Sequence, residues 1–255
     1  MARSSFDASL KALAGLLIFS VFFIEWRKGS FKEGKACLRR ISWSPYVKEL
    51  ALLALTAAFM MFTDRALLAW VQSQKSVVFD GILRVGSFLG KGQNAWAVLA
   101  ALYFLGYLLP LNRKIIFGAL GASFLTSVVT TLLKFLFLRA RPSAALGPFS
   151  FFHGAGLLQD ERAFQSFPSG DAAVVAGAAY YLFLTVKFRP LRWLLFLVPL
   201  TTALARVYVN RHWPSDVLFS LGLGFFIAHG IWAGTGQSSP GDGKLPPIFK
   251  NPASL

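Results

Sequence analysis

Residues 115–138 read IIFGALGASFLTSVVTTLLKFLFL, an apolar run broken by a single charge, Lys134. A transmembrane helix needs roughly 17 to 25 predominantly apolar residues, and this run supplies them. The rest of the chain agrees. Of its 255 residues 55% are hydrophobic and only 15% are charged, where a soluble domain carries roughly 25%. The mean hydropathy is +0.56. The reading is therefore an all-α, polytopic membrane helix bundle.

Five further apolar runs complete a six-span core: Tyr46–Phe62, Ala95–Leu111, Ala172–Val186, Trp193–Tyr208 and Val217–Ala233. The first opens on SWSP, with Pro45 placed for a helix's first turn. An N-terminal hydrophobic helix, Leu10–Trp26, precedes them; it either spans with a tilt or lies at the interface. RKGSFKEGK follows it, with no small-residue cleavage site, which argues against a signal peptide. Three segments result: an N-terminal helix and basic stretch (1–44), the membrane core (45–234) and a loose Gly/Pro/Ser-rich tail (235–255).

The net charge is +15. Nucleic acid and anionic lipid both attract such a chain. Membrane-length runs interleave the basic residues and leave no soluble domain to grip DNA, so anionic headgroups are the expected partner. Arg27, Lys28, Lys32, Lys35, Arg39, Arg40, Arg113, Lys114, Lys187, Arg189, Arg192, Lys244 and Lys250 gather on one side, which reads as cytoplasmic. The lone Cys37 forms no internal disulfide, and three histidines make no His-rich metal cluster. Alternation then brings the end of the third span, the start of the fourth, the end of the fifth and the start of the sixth to the opposite side.

Unusual polar residues collect at those four ends. In KFLFLRARP, Lys134 and Arg141 are seven residues apart and share a face, about 10 Å apart, if the helix persists; Pro142 stops it. In SFPSG, Ser169 can cap a helix whose free N–H groups favour an anion, and Gly170 admits a close backbone approach. In RVYVNRHWPSD, Pro214 fits a first turn, so His212 lies at the helix mouth with Asp216 one turn in. A carboxylate there can fix the imidazole tautomer and leave the other nitrogen as nucleophile. Each piece alone reads equally as a snorkelling cation or a capped helix. Together, three cations, an oriented imidazole and a Ser-Gly turn on one face are what a phosphoryl group in transfer requires.

The ordered trio K-x6-RP, PSG and R-x5-H-x3-D, spanning Lys134 to Asp216, resembles the signature of the type 2 phosphatidic acid phosphatase superfamily. The resemblance implies a metal-independent, cofactor-free membrane lipid phosphatase. It implies that Lys134, Arg141 and Arg206 hold phosphate, that Ser169 and Gly170 donate hydrogen bonds, that His212 becomes a phosphohistidine and that Asp216 orients it. Two departures stand out. Ala205 precedes Arg206 where the family has Ser. Asp171 stands where the family's second motif has a His that protonates the leaving oxygen.

Three readings of Asp171 follow. It is the acid, its proton favoured by a phosphate dianion and opposed by the three cations. Or no strong acid is needed, because the leaving group is a good one, as in a polyprenyl diphosphate or a lipid A-type sugar phosphate. Or the site binds lipid phosphates without catalysis. Transfer to a second lipid is the alternative to hydrolysis. His153, in the 143–167 loop, is a substitute acid or a headgroup neighbour, and QDER nearby is a solvated patch or a lid. His229 is expected to hydrogen-bond within the bundle. The site is expected at the outer leaflet, which in a bacterium means the periplasmic side of the inner membrane.

Overall fold

Residues 172–179, AAVVAGAA, hold no side chain larger than valine, and every one is buried. A helix that is apolar all round belongs inside a bundle. A computed structural model describing residues 2–40, 47–89, 91–109, 111–152 and 161–235 places it there. The described residues form α1 (Ala2–Arg27), α2 (Ser30–Arg40), α3 (Val47–Met60), α4 (Asp64–Ser73), α5 (Val77–Leu89), α6 (Gly92–Leu105), α7 (Arg113–Phe137), α8 (Gly170–Thr185), α9 (Arg189–Tyr208) and α10 (Pro214–Gly234). The central helix is α8, packed against α7, α9 and α10.

Small residues allow this close packing. A Cβ at Gly224 of α10 would lie 2.5 Å from the Ala173 carbonyl oxygen and 2.8 Å from Ala176 Cβ. One at Gly177 would lie 2.7 Å from Thr126 Oγ1 of α7. In lipid, where apolar burial gains little over tail contact, such close backbone approach is a main source of helix affinity. Thr126 and Thr130 send their hydroxyls back to Ala122 O and Thr126 O, so α7 faces α8 with its polar groups satisfied.

Among the described residues, three helical segments suffice by length and composition to cross a membrane: Arg113–Ala144, α9 and α10. A fourth arises if α3 and α4, bent by 70°, count as one broken span. The expected Tyr46–Phe62 run is therefore not one straight helix: it stops at Met60, and the chain turns into α4 at Asp64. Helices α4 and α5 were not anticipated, because their short amphipathic runs fall below spanning length. Helix α6 starts at Gly92, three residues before the expected Ala95, and α8 is 16 residues long. The expected N-terminal helix is α1, docked on α6. There Glu25 accepts bonds from the Tyr103 hydroxyl, from Lys28 Nζ (3.0 Å) and from Ser30 Oγ. Pro45, His153, Asp160 and the tail from 236 onward lie outside the described residues.

Gly224→Leu should shift the α8–α10 crossing and lower the midpoint of thermal unfolding in detergent, at a cost of about 1–3 kcal/mol for overpacking. Gly121→Leu, where a Cβ meets nothing within 4 Å, should leave that midpoint near the parent's.

Candidate active site

Helix α7 ends where the sequence placed its cations, but not as a continuous helix. Leu138 takes a left-handed conformation (φ 41°), and its N–H closes the last turn on Lys134 O at 3.0 Å. The helix does not continue through Arg139 and Ala140, and Arg141 is extended (φ −72°, ψ 157°). Lys134 and Arg141 therefore do not share a helical face. Arg139 is fully buried and Arg141 half-buried.

Arg139 is the residue that sequence reasoning passed over. Its guanidinium is wholly buried between two buried carboxylates. Nη2 donates to Asp64 Oδ2 at 2.7 Å, and Nη1 donates to Asp216 Oδ1 and to Ser215 Oγ (2.8 Å). Nε donates to Pro148 O at 2.8 Å. Asp64, the first residue of α4, also accepts from Ser215 N (2.8 Å) and Ser215 Oγ (2.6 Å). This one cluster ties the bend before α4, the end of α7 and the start of α10. The only signal in the sequence was a second arginine in RARP and an aspartate directly after an apolar run.

The loop before α8 is held by two successive carbonyls. Lys134 Nζ donates to Gln165 O at 2.7 Å, and His212 Nδ1 lies 2.7 Å from Ser166 O. The Ser166 hydroxyl donates to Asp216 Oδ2, and Ser166 N–H donates to Arg139 O at 3.0 Å. A carbonyl oxygen only accepts, so Nδ1 carries the proton and Nε2 keeps its lone pair. The sequence assigned that task to Asp216. Its Oδ2 stands 3.8 Å from Nδ1, beyond hydrogen-bond range, and accepts from Trp213 N–H at 2.9 Å instead. Asp216 thus acts on the imidazole by charge and through Ser166, while the Ser166 carbonyl sets the tautomer. Burial pushes the His212 imidazole below its ordinary value; Asp216 opposes this, and the positive charges of Lys134 and Arg141 push the same way as burial.

Arg206, in the last turn of α9, is also buried. Nη1 donates to Asp171 Oδ2 at 3.2 Å, and Nη2 to Ser87 O and Oγ, both at 2.8 Å. Asp171 Oδ1 accepts from Gly92 N–H at 3.1 Å. Both carboxylate oxygens therefore serve as acceptors, joining α8 to α9 and to the first turn of α6. Ser169 occupies the N-cap position of α8, yet its side chain makes no capping bond. Its buried Oγ and the buried Arg206 Nε have no hydrogen-bond partner among the described residues. Buried polar groups are ordinarily satisfied, and an oxyanion between them would satisfy both. Lys134 reaches the same place: its Cε would lie 3.5 Å from a Cβ on Gly170, and Arg141, Asp216 and Asp171 are its electrostatic neighbours. These contacts link the eight residues picked out in the sequence into one cluster at this end of the bundle. Ser87, Gly92, Asp64, Arg139 and Ser166 join them only in three dimensions. Among the described residues, no group of three or more His, Cys, Asp or Glu side chains is placed to hold a metal.

Residues 115–239 match the family model of the PAP2 superfamily. The chain is similar to an undecaprenyl-diphosphatase of Sulfolobus acidocaldarius, 36% identical over 86 residues, or 33% of this chain. Those residues span 41% of that relative's length. Two crystal structures share the fold. One is LpxE of Aquifex aeolicus, with TM-score 0.50 and 23% identity, covering 65% of this chain and 92% of that one. The other is a transmembrane PAP2 type phosphatidylglycerolphosphate phosphatase of Bacillus subtilis, with TM-score 0.57 and 17% identity, covering 74% and 94%. With its membrane-length helices, the chain is an integral membrane protein.

Removing Arg139 leaves two buried carboxylates uncompensated. Arg139→Ala should cost about 3–5 kcal/mol, seen as a large drop in the unfolding midpoint in detergent. Asp64→Asn, which keeps an acceptor for Ser215, should cost less. His212 gives a second expectation. Its folded value lies below the unfolded one, near 6.5, so its contribution is complete above that pH and is lost as pH falls below it. The unfolding midpoint should decline from pH 7 to pH 5, and less so in His212→Gln.

Proposed function

We propose that the protein, whose residues 115–239 match the PAP2 superfamily model, dephosphorylates a membrane lipid phosphate through a phosphohistidine. The observation that carries this reading is the bond from His212 Nδ1 to Ser166 O, which leaves Nε2 as a free nucleophile beside unpartnered anion donors. The phosphate is held by Lys134, Arg141, Arg206, Ser169 Oγ and the N-terminal amides of α8, including that of Gly170. Nε2 attacks phosphorus, the N–P bond forms and the bond to the leaving oxygen breaks with its electron pair on that oxygen. Water then attacks the phosphohistidine, releasing inorganic phosphate and restoring the imidazole. The donors stabilise charge on the transferring group, which is where most of the rate enhancement arises.

Asp171 favours a substrate whose leaving group needs little help. Its two oxygens accept from Arg206 and Gly92, so in this arrangement it positions Arg206 and does not offer a proton. A general acid contributes about 10²- to 10⁴-fold, and a diphosphate or a sugar-1-phosphate recovers part of that. The preferred substrate class is accordingly a polyprenyl diphosphate or a lipid A-type sugar phosphate. The similarity to an undecaprenyl-diphosphatase supports the first. Transfer to a second lipid is the same chemistry with a lipid hydroxyl or phosphate replacing water. The six-span core plus α1, the inner membrane and a periplasmic site complete the proposal, on the strength of the loop charges and of α6 and α8 as short spans.

Phosphate release by the purified protein tests it. The lipid diphosphate should turn over faster than a lipid monophosphate, and His212→Ala should reduce release to background. Asp171→His should raise monophosphate turnover by up to about 10²-fold. A parent with no release on either substrate would sink the enzymatic reading, and a monophosphate preference would sink the leaving-group argument.

A further inference from the structure

An apolar cavity of about 260 Å³ lies between α1 and the α6–α7 pair, lined by Gly15, Phe19, Phe22, Trp96, Leu120 and Phe124 among others. Its one polar wall group is already satisfied: Trp96 Nε1 donates inward to Ser123 Oγ at 3.0 Å. The cavity therefore suits hydrocarbon and has nothing to offer a headgroup. Gly15 makes the space, since a Cβ there meets nothing within 4 Å. Phe19 and Phe124, 68% and 48% exposed, leave the cavity open at the lipid-facing side of the bundle.

Its position connects it to the catalytic end. Gly92, the first residue of α6, donates to Asp171, and a Cβ on it would touch Val174 of α8. Trp96 is one turn further along α6, about 6 Å deeper. On α7, Phe124 and Leu120 lie ten and fourteen residues before Lys134, about 15 and 21 Å below it. Half of a bilayer's hydrocarbon core is about 15 Å. The cavity thus lies along α6 and α7, the two helices that also carry groups of the phosphate site, with its α7 wall about 15–21 Å below Lys134, at the depth of the membrane midplane and just past it.

Building on the proposed lipid phosphatase reading, we infer that this cavity is the tail site: it takes the hydrocarbon chain of the lipid whose phosphate lies at Lys134, Arg206 and His212. The N-terminal helix α1 is then a specificity element, supplying the wall at Gly15, Phe19 and Phe22 that reads chain length. A chain seated there gains burial at each methylene, so selectivity grows with length until the cavity is filled.

The test compares geranyl diphosphate with a long-chain polyprenyl diphosphate, and the parent with Gly15→Phe and Gly15→Leu, both first shown by thermal unfolding to be folded. The ratio of long-chain to geranyl kcat/KM should fall about tenfold in Gly15→Phe and less in Gly15→Leu. Native mass spectrometry should show the parent retaining the long-chain prenyl diphosphate and Gly15→Phe losing it. An unchanged ratio in both variants overturns the inference, and so does retention of bulk phospholipid in place of the prenyl chain. Retention that depends on Gly15 in a parent without turnover would support the tail site while rejecting the phosphatase.

Discussion

A guanidinium buried away from water must find its charge balance in the protein, and Arg139 finds it in Asp64 and Asp216. Taking three charged groups out of water is costly, and only saturated hydrogen bonding offsets it. Here Ser215, Ser166, Trp213 N–H and Pro148 O provide the remaining partners. The cluster cannot form unless the bend at α4, the end of α7 and the start of α10 arrive together. It is therefore a joint between helices as well as a set of bonds, and the imidazole of His212 is built on it.

The loop before α8 extends that joint into the pocket. Consecutive carbonyls, Gln165 O and Ser166 O, hold Lys134 and His212, so one short backbone segment fixes both the ammonium and the imidazole. The opposite wall is made by Asp171, which ties Arg206 of α9 to α8 and to the amide of Gly92. Positioning of this kind lowers the reorganisation a reaction demands, because donors already point where charge develops. A carboxylate in that wall also lowers the positive charge of the pocket by one relative to a neutral side chain there.

The membrane explains why so much of the frame is small or satisfied. In hydrocarbon an unpaired polar group is expensive, and contact between apolar surfaces gains little over contact with lipid. The bundle answers with glycine and alanine at the α8 crossings, and with threonine hydroxyls turned back onto their own helix. Two of the buried polar atoms without a partner among the described residues, Ser169 Oγ and Arg206 Nε, belong to the candidate site.

The sequence by itself determined the membrane class, the apolar helices and the local chemistry of three short motifs. Those depend on hydrophobic run length and residue type, which are one-dimensional properties. It placed Lys134, Ser169, Arg206 and His212 near helix ends because Pro, Gly and Ser mark such ends. It could not find Arg139, Asp64 or Ser87, which have no local pattern and gain meaning only from partners 75 residues or more away. It took Asp216 for the imidazole's partner because the i, i+4 spacing permits it, whereas packing put the Ser166 carbonyl nearer. It joined Lys134 to Arg141 by a helix that Leu138 ends, and it missed α4 and α5, whose short runs lack spanning length. Only the tertiary structure decided these points, because which acceptor a buried donor reaches depends on where the other helices leave room.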